Sequence, residues 1–95
     1  MKYINNEEVL SYFHQQTLNG FTVSEQSMSG TIEWYNPDNE KTILATPNWT
    51  DEGIVPIDMS MGDDYENVGE VVLSGSIDEQ LTQYATVVES VLAVI

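Results

Sequence analysis

The spacing of apolar positions along this chain changes from helical to alternating and back to helical. Near the N-terminus, Val9, Phe13 and Thr17 recur at helical spacing. Acidic residues precede them, and acidic side chains favour the positive end of a helix dipole. The pattern therefore predicts a short helix that begins at Glu7, with Asn6 as its N-cap, and continues through Thr17.

The middle of the chain alternates apolar and polar residues with a period of two, which is typical of β-strands. This pattern covers residues 21–26, 31–35 and 41–45. An Asn-Pro-Asp-Asn sequence separates the last two stretches, and it is a turn signal because proline fixes φ while Asp and Asn accept local hydrogen bonds. A hairpin of residues 31–35 and 41–45 is the prediction.

Between this hairpin and the C-terminal region, the sequence predicts two further strands. Residues 54–59 contain Pro56, which cannot donate a hydrogen bond to a neighbouring strand. This segment is therefore predicted to lie at an edge of the sheet. Residues 61–67 are predicted to form an acidic loop, and the valine-rich residues 68–74 to return as a strand.

The last element has both a start signal and a long periodic pattern. Ser76 and Glu79 have the spacing of a capping box. The apolar residues that follow lie on one stripe of a helix: Ile77, Leu81, Tyr84, Val88, Val91 and Ile95. The predicted fold is a single α+β domain over residues 1–95, in which an N-terminal and a C-terminal helix flank an antiparallel sheet of about four strands.

Composition adds a strong constraint, because the chain has 16 acidic residues, two lysines, no arginine and a formal net charge of -14. Such a surface repels nucleic acid and anionic membranes and attracts proteins with basic clefts. The absence of cysteine excludes disulfides and thiolate metal sites. The longest apolar run, residues 91–95, is far shorter than the roughly 20 residues of a membrane span. The N-terminal residues lack a signal-peptide pattern, so we expect a cytoplasmic protein, in the host cell if it is viral.

The acidic residues are densest in residues 51–70, which contain no cation. Losing nearly all cations forgoes ion pairs and increases self-repulsion, and a surface that imitates a polyanion requires this composition. Simple solubility or adaptation to high salt would produce it too. The predicted partner-binding residues are Asp51, Glu52, Asp58, Asp63, Asp64, Glu66 and Glu70, with Trp49, Tyr65 and Met61 as apolar anchors.

These residues predict a small acidic inhibitor that occupies the basic nucleic-acid-binding cleft of another protein, without binding nucleic acid itself. The composition is typical of viral inhibitors of restriction, CRISPR and DNA-repair enzymes, a likeness of class that involves no shared motif. The alternative is a structural or accessory subunit that dimerises through its C-terminal helix. The heptad-like stripe supplies the residues of that possible dimer face: Leu81, Tyr84, Val88, Val91 and Ile95.

Catalysis and metal binding have weaker support in the sequence. The carboxylates of residues 58–66 are potential oxygen ligands for calcium or magnesium, but their spacing does not match the helix-loop-helix calcium site. His14 is the only histidine, and the sequence marks no nucleophile or orienting acid beside it. We therefore expect no enzyme activity, no metal site and no cofactor.

Overall fold

The computed structural model describes residues 2–14, 16–26, 30–49, 52–61 and 63–95. Two helices pack on one face of a six-stranded antiparallel sheet, in which each strand pairs with the next along the chain. The elements are α1 (Asn6–Tyr12), β1 (Thr17–Leu18), β2 (Phe21–Gln26), β3 (Thr31–Asn36), β4 (Lys41–Leu44), a 3-10 helix (Pro47–Trp49), β5 (Ile54–Met61), β6 (Asp64–Val72) and α2 (Ile77–Val94). The predicted α+β class is confirmed, but the sheet has six strands rather than about four.

The hydrophobic core lies between the helices and one face of the sheet, which we call the inner face. A row of cross-strand partners runs along it: Val23, Trp34, Ile43 and Met59. Phe13, just after α1, meets Trp34 edge-on with ring centroids 4.9 Å apart. Tyr84 of α2 lies 6.0 Å from Phe13 by the same measure. Both helices therefore cover the inner face, and we call the opposite side of the sheet the outer face.

The first helix is shorter than predicted and begins one residue earlier. Asn5, not Asn6, is the N-cap: its side chain accepts a hydrogen bond from the Glu8 amide at 2.8 Å, and the Glu8 carboxylate accepts one from the Asn5 amide at 3.1 Å. This reciprocal capping box fixes the start of the helix. The helix ends at Tyr12, and Thr17 begins β1 instead of continuing the helix.

The last helix follows the sequence prediction. The Ser76 hydroxyl accepts a hydrogen bond from the Glu79 amide at 3.2 Å, and the Glu79 carboxylate accepts one from the Ser76 amide at 3.1 Å. Leu81, Tyr84 and Val88 are buried against the sheet of the same chain. These three residues therefore cannot supply the predicted dimer face, because their apolar surface is already covered.

Val91 and Ile95, the other residues predicted for the dimer face, are half-buried and pack against the same core.

The buried side-chain amide of Gln80 holds the N-terminal end of α2 to the N-terminal segment of the chain. Gln80 accepts a hydrogen bond from the Ile4 amide at 3.0 Å and donates to the Lys2 carbonyl at 2.9 Å. The N-terminal segment is thus fixed beside the first turns of α2.

The strand that contains Pro56 lies inside the sheet, not at the predicted edge. β5 is hydrogen-bonded to β4 on one side and to β6 on the other. However, β4 pairs only with the second half of β5, starting where Leu44 lies opposite Asp58. Among the described residues, the cross-strand partner of Pro56 is Glu70 of β6. At Pro56, the described part of β5 is paired with β6 but not with β4, so the position resembles an edge strand and the missing N–H is tolerated.

β5 and β6 form a long hairpin where the sequence predicted an acidic loop at residues 61–67. Strand pairing extends to Met61 opposite Asp64, so β6 begins well before the predicted residues 68–74. The loop prediction is therefore wrong for residues 64–67, which belong to β6. Strand propensity depends strongly on cross-strand neighbours, and β5 provides paired partners for residues 64–67.

A β-bulge divides this hairpin into two halves. Gly69 lies opposite Ile57 and Asn67 lies opposite Asp58, which leaves Val68 as an extra residue in β6. Val68 packs against the core. Side chains of β6 alternate between the inner and outer faces on each side of the bulge, but the alternation is shifted by one residue from one side to the other.

Candidate protein-binding surface

Strand register brings two acidic turns to the same end of the sheet. Asn36 pairs with Lys41 around the β3–β4 turn, and Met61 pairs with Asp64 around the β5–β6 turn. The Thr42–Ser60 pair sets the two turns level with each other. Neighbouring strands are about 4.8 Å apart, so the centres of these turns, two strand spacings from each other, are about 10 Å apart. We call this end of the sheet the turn end.

Carboxylates from two separate parts of the sequence meet at the turn end. Asp38 and Glu40 belong to the β3–β4 turn, whereas Asp63 lies in the β5–β6 turn and Asp64 follows it as the first residue of β6. All four are exposed. Glu66, two residues into β6, is exposed close to them. Because like charges on neighbouring turns repel each other, this arrangement costs stability, which a purely structural role does not explain.

The C-terminal end of α2 lies at the turn end as well. The Asn19 amide group donates a hydrogen bond to the Glu89 carbonyl at 3.5 Å, and the Lys41 ammonium donates to the Ile95 carbonyl at 2.6 Å. The C-terminal end of a helix carries a partial negative charge. Lys41 offsets part of that charge and reaches the helix from the inner face.

Carboxylates near the opposite end of the sheet have structural roles. Glu7 and Glu8 lie in the first turn of α1, and Asp78 and Glu79 lie in the first turn of α2. Hydrogen bonds from the Ser76 backbone and side chain lower the pKa of Glu79. Acidic residues at a helix N-terminus stabilise the helix, so these four charges have a reason to be present whether or not the protein binds a partner.

The acidic segment singled out in the sequence is spread over the molecule rather than gathered on one surface. Asp63, Asp64 and Glu66 lie at the turn end. Glu52 precedes β5 at the other end of the sheet, and eight strand residues at about 3.3 Å each place it roughly 25 Å away. Asp51 and the side chains of Trp49 and Met61 lie outside the described part of the structure.

The other two carboxylates predicted for partner binding, Asp58 and Glu70, lie on the outer face. Asp58 accepts a hydrogen bond from the Asn67 amide group at 3.1 Å. Tyr65, the one predicted anchor whose side chain is described, is 64% exposed. It belongs to a cross-strand row that also contains Thr22, Tyr35, Thr42 and Ser60.

Sequence reasoning missed Asp38 and Glu40 as potential site residues. The Asn-Pro-Asp-Asn segment was interpreted only as a turn signal, and the sequence placed the acidic segment far from it. Pairing of β4 with β5 brings the two turns side by side, and this contact between distant parts of the chain has no local signal.

The same geometry bears on catalysis and metal binding. Carboxylates at the turn end are exposed, so they lack the apolar pocket in which a carboxyl group acts as a general acid. His14 is exposed and lines a groove of about 290 Å³ with Thr17 and Thr22. Within the described ranges, no group of three or more His, Asp or Glu side chains is arranged to hold a metal ion.

Comparisons with family models, curated proteins and solved structures return no match for this chain. In the part of the chain that the structure describes, neither helix has the length and apolar character needed to cross a membrane.

Proposed function

We propose that this chain is a small acidic inhibitor that binds the basic nucleic-acid-binding cleft of another protein and excludes DNA from it. The observation that supports this proposal is the pair of acidic turns at the turn end. Asp38, Glu40, Asp63 and Asp64 repel one another there, with no helix N-terminus beside them to compensate. A protein that needed only solubility could spread these charges apart.

The proposed mechanism is steric and electrostatic competition in the cytoplasm. Lysine and arginine side chains that normally hold phosphates would interact with the carboxylates of the turn end instead. Complementary charge accelerates encounter and weakens with added salt. Tyr65, one residue beyond Asp64, would supply apolar contact area, since tyrosine combines a large ring with a polar hydroxyl.

The test is a binding panel of purified proteins at about 0.15 M salt, where charges more than roughly 8 Å apart are screened. The panel contains a restriction endonuclease, a CRISPR effector, a DNA-repair glycosylase and lysozyme as a basic protein without a nucleic-acid-binding cleft. We expect capture of at least one nucleic-acid-binding member, and displacement of this chain by short duplex DNA. Capture that DNA does not displace, or equal capture of lysozyme, would contradict the proposal.

A matched pair of variants isolates the turn end from total charge. The Asp38→Asn/Asp63→Asn variant and the Glu7→Gln/Glu25→Gln variant each lose two negative charges, but only the first loses them at the turn end. We expect the first to slow association clearly more than the second. Equal effects would mean that net charge alone drives binding.

The alternative function, an accessory subunit that dimerises through α2, would have to use residues outside the buried stripe. Val94 is 85% exposed, which makes it the apolar residue of α2 best placed for such a contact. Sedimentation of the Val94→Asp variant tests this alternative. A dimer that becomes a monomer on substitution would favour it, and an unchanged mass would exclude this contact.

A further inference from the structure

The outer face of the sheet combines exposed apolar side chains with separated carboxylates. Tyr65 and Val72 are more than 60% exposed, and Tyr35 is 39% exposed. Asp58 and Glu70 are on the same face of the β5–β6 hairpin, and Glu33 lies across β4 from Asp58. Exposed aromatic and aliphatic side chains on an uncovered sheet face are typical of protein-binding surfaces.

The carboxylates of this face are spaced by the strand register rather than crowded together. Glu33 and Asp58 are separated by Leu44, so they are two strand spacings, or about 10 Å, apart. Glu70 lies opposite Pro56, and Pro56 is two residues before Asp58 in β5. Glu70 and Asp58 are therefore diagonal neighbours on adjacent strands, which corresponds to a separation of about 8 Å. Each carboxylate is therefore surrounded by neutral side chains and can receive its own cationic partner.

The carboxylate of Asp58 is held in position by its neighbour. Asn67 donates hydrogen bonds to Asp58 at 3.1 Å and to the Gly69 carbonyl at 3.3 Å, so the amide group of Asn67 is fixed between β6 and β5. A carboxylate accepts several hydrogen bonds, so Asp58 keeps the capacity to bind a further donor. A fixed carboxylate loses little conformational entropy when it binds a partner.

Neither lysine of the chain neutralises this face. Lys41 reaches the C-terminal end of α2 from the inner face, and Lys2 belongs to the N-terminal segment held by Gln80. The charged side chains that the described strands place on the outer face are therefore acidic. A second copy of the chain would bring carboxylates against carboxylates, and such a contact of like charges is unfavourable.

We propose, building on the function proposed above, that the outer face around Tyr65 and Asp58 is a docking surface for a protein segment that presents arginine. Arginine fits this chemistry better than lysine does. Its planar guanidinium group forms paired hydrogen bonds with a carboxylate and stacks on an aromatic ring, whereas the lysine ammonium group is a strongly hydrated point charge. The two surfaces then have different roles: the turn end accelerates association with the partner, and the outer face slows dissociation from it.

The test uses the whole chain and peptides of known composition. Backbone amide NMR signals are followed at about 0.15 M salt during titration with oligoarginine and, separately, with oligolysine of equal length. We expect saturable shifts centred on Tyr65, Asn67 and Asp58 with oligoarginine, and binding at least about threefold weaker with oligolysine. Shifts confined to the turn end or the helix N-termini, or equal affinity for both peptides, would overturn the proposal.

Matched variants show whether specific side chains carry the binding. Tyr65→Ala and Asp58→Asn should each weaken oligoarginine binding several-fold, whereas Tyr12→Ala and Glu25→Gln, which change similar residues elsewhere, should leave it within twofold. The NMR spectrum of each variant reports whether it is folded. Should Asp58→Asn be misfolded, Glu70→Gln tests the same face, and unchanged affinity in the folded variants would refute the proposal.

This experiment separates the docking surface from the function on which it is built. Arginine-selective binding to the outer face, together with no DNA-displaceable partner in the binding panel, would leave the docking surface standing and remove the inhibitor function. A DNA-displaceable partner whose dissociation rate is unaffected by Tyr65→Ala would do the reverse. Self-association that Tyr65→Ala abolishes would assign the face to a second copy and overturn the proposal.

Discussion

The indole N–H of Trp34 donates a hydrogen bond to the hydroxyl oxygen of Tyr84 at 3.2 Å, in the centre of the core. The Tyr84 hydroxyl in turn donates to the carbonyl oxygen of Ala45 at 2.7 Å. Both aromatic side chains are fully buried. One hydroxyl group therefore links α2 to β3 and to the segment that follows β4.

Replacing Tyr84 with phenylalanine tests how much these two hydrogen bonds contribute to the free energy of unfolding. Tyr84→Phe keeps the ring but leaves the Trp34 N–H and the Ala45 carbonyl without their partner, so we expect a loss of about 1–3 kcal/mol in the free energy of unfolding. Urea denaturation measures it. Tyr12→Phe, at an exposed position on α1, should change stability little. Equal stability of Tyr84→Phe and the wild type would contradict this interpretation.

The same hydroxyl predicts how stability depends on alkaline pH. Burial raises the pKa of Tyr84 well above its usual value of about 10, while a hydrogen bond from Trp34 acts in the opposite direction. Above pH 10 the unfolded state therefore releases a proton that the folded state retains. Its contribution to stability is fully present below pH 10 and falls by about 1.4 kcal/mol per pH unit above it.

Urea denaturation of the wild type and Tyr84→Phe between about pH 9 and pH 11 measures this contribution. The wild type should lose stability more steeply than the variant above pH 10. Parallel curves would show that Tyr84 ionises equally easily in the folded and unfolded states.

Gly53 provides a test of close packing against the N-terminal segment. Its φ is +77°, and a Cβ atom there would lie 2.6 Å from the ring of Tyr3. Gly53→Ala should therefore reduce the free energy of unfolding by about 1–3 kcal/mol, through backbone strain and a displaced ring. The matched control is Gly30→Ala, where φ is +66° and, among the described residues other than its chain neighbours, no atom lies within 4 Å of the added Cβ. Equal losses in the two variants would assign the whole effect to backbone strain.

Removing one negative charge should have opposite effects at the two ends of the sheet. Asp78→Asn removes a favourable charge from the first turn of α2, and it should cost about 0.3–1 kcal/mol of stability at low salt. Asp64→Asn relieves repulsion at the turn end and should increase stability by about 0.2–0.5 kcal/mol. Urea denaturation at low and high salt checks both values, and both effects should shrink as salt increases. Loss of stability in both variants would contradict the assignment of repulsion to the turn end.

Local signals predicted the elements whose structure is decided locally. The Ser76 cap and the stripe through Tyr84 gave α2 correctly, because capping and helical periodicity both lie within one segment. Asn-Pro-Asp-Asn likewise gave the β3–β4 hairpin. The prediction for Pro56 failed because the length of β4, a separate strand, decides whether the missing N–H matters.

The candidate site was less predictable than the fold, for a related reason. Asp63 and Asp64 stood out through local charge density, but their proximity to Asp38 and Glu40 depends on the register between β4 and β5. Glu52 appeared close to them in sequence, although an eight-residue strand separates it from them in space. Distance along the sequence therefore made Glu52 look closer to Asp63 and Asp64 than it is, and it hid the proximity of the two turns.

The bulge at Val68 has an evolutionary consequence. Deleting this residue would restore regular alternation in β6 while Asn67 stays opposite Asp58 and Gly69 stays opposite Ile57. Tyr65 would stay on the outer face, opposite Ser60, because the register on both sides of the bulge would be unchanged. A single-codon deletion at this position could therefore remove the packing of Val68 without exchanging the two surfaces, whereas a one-residue slip in a regular strand moves its side chains to the opposite face.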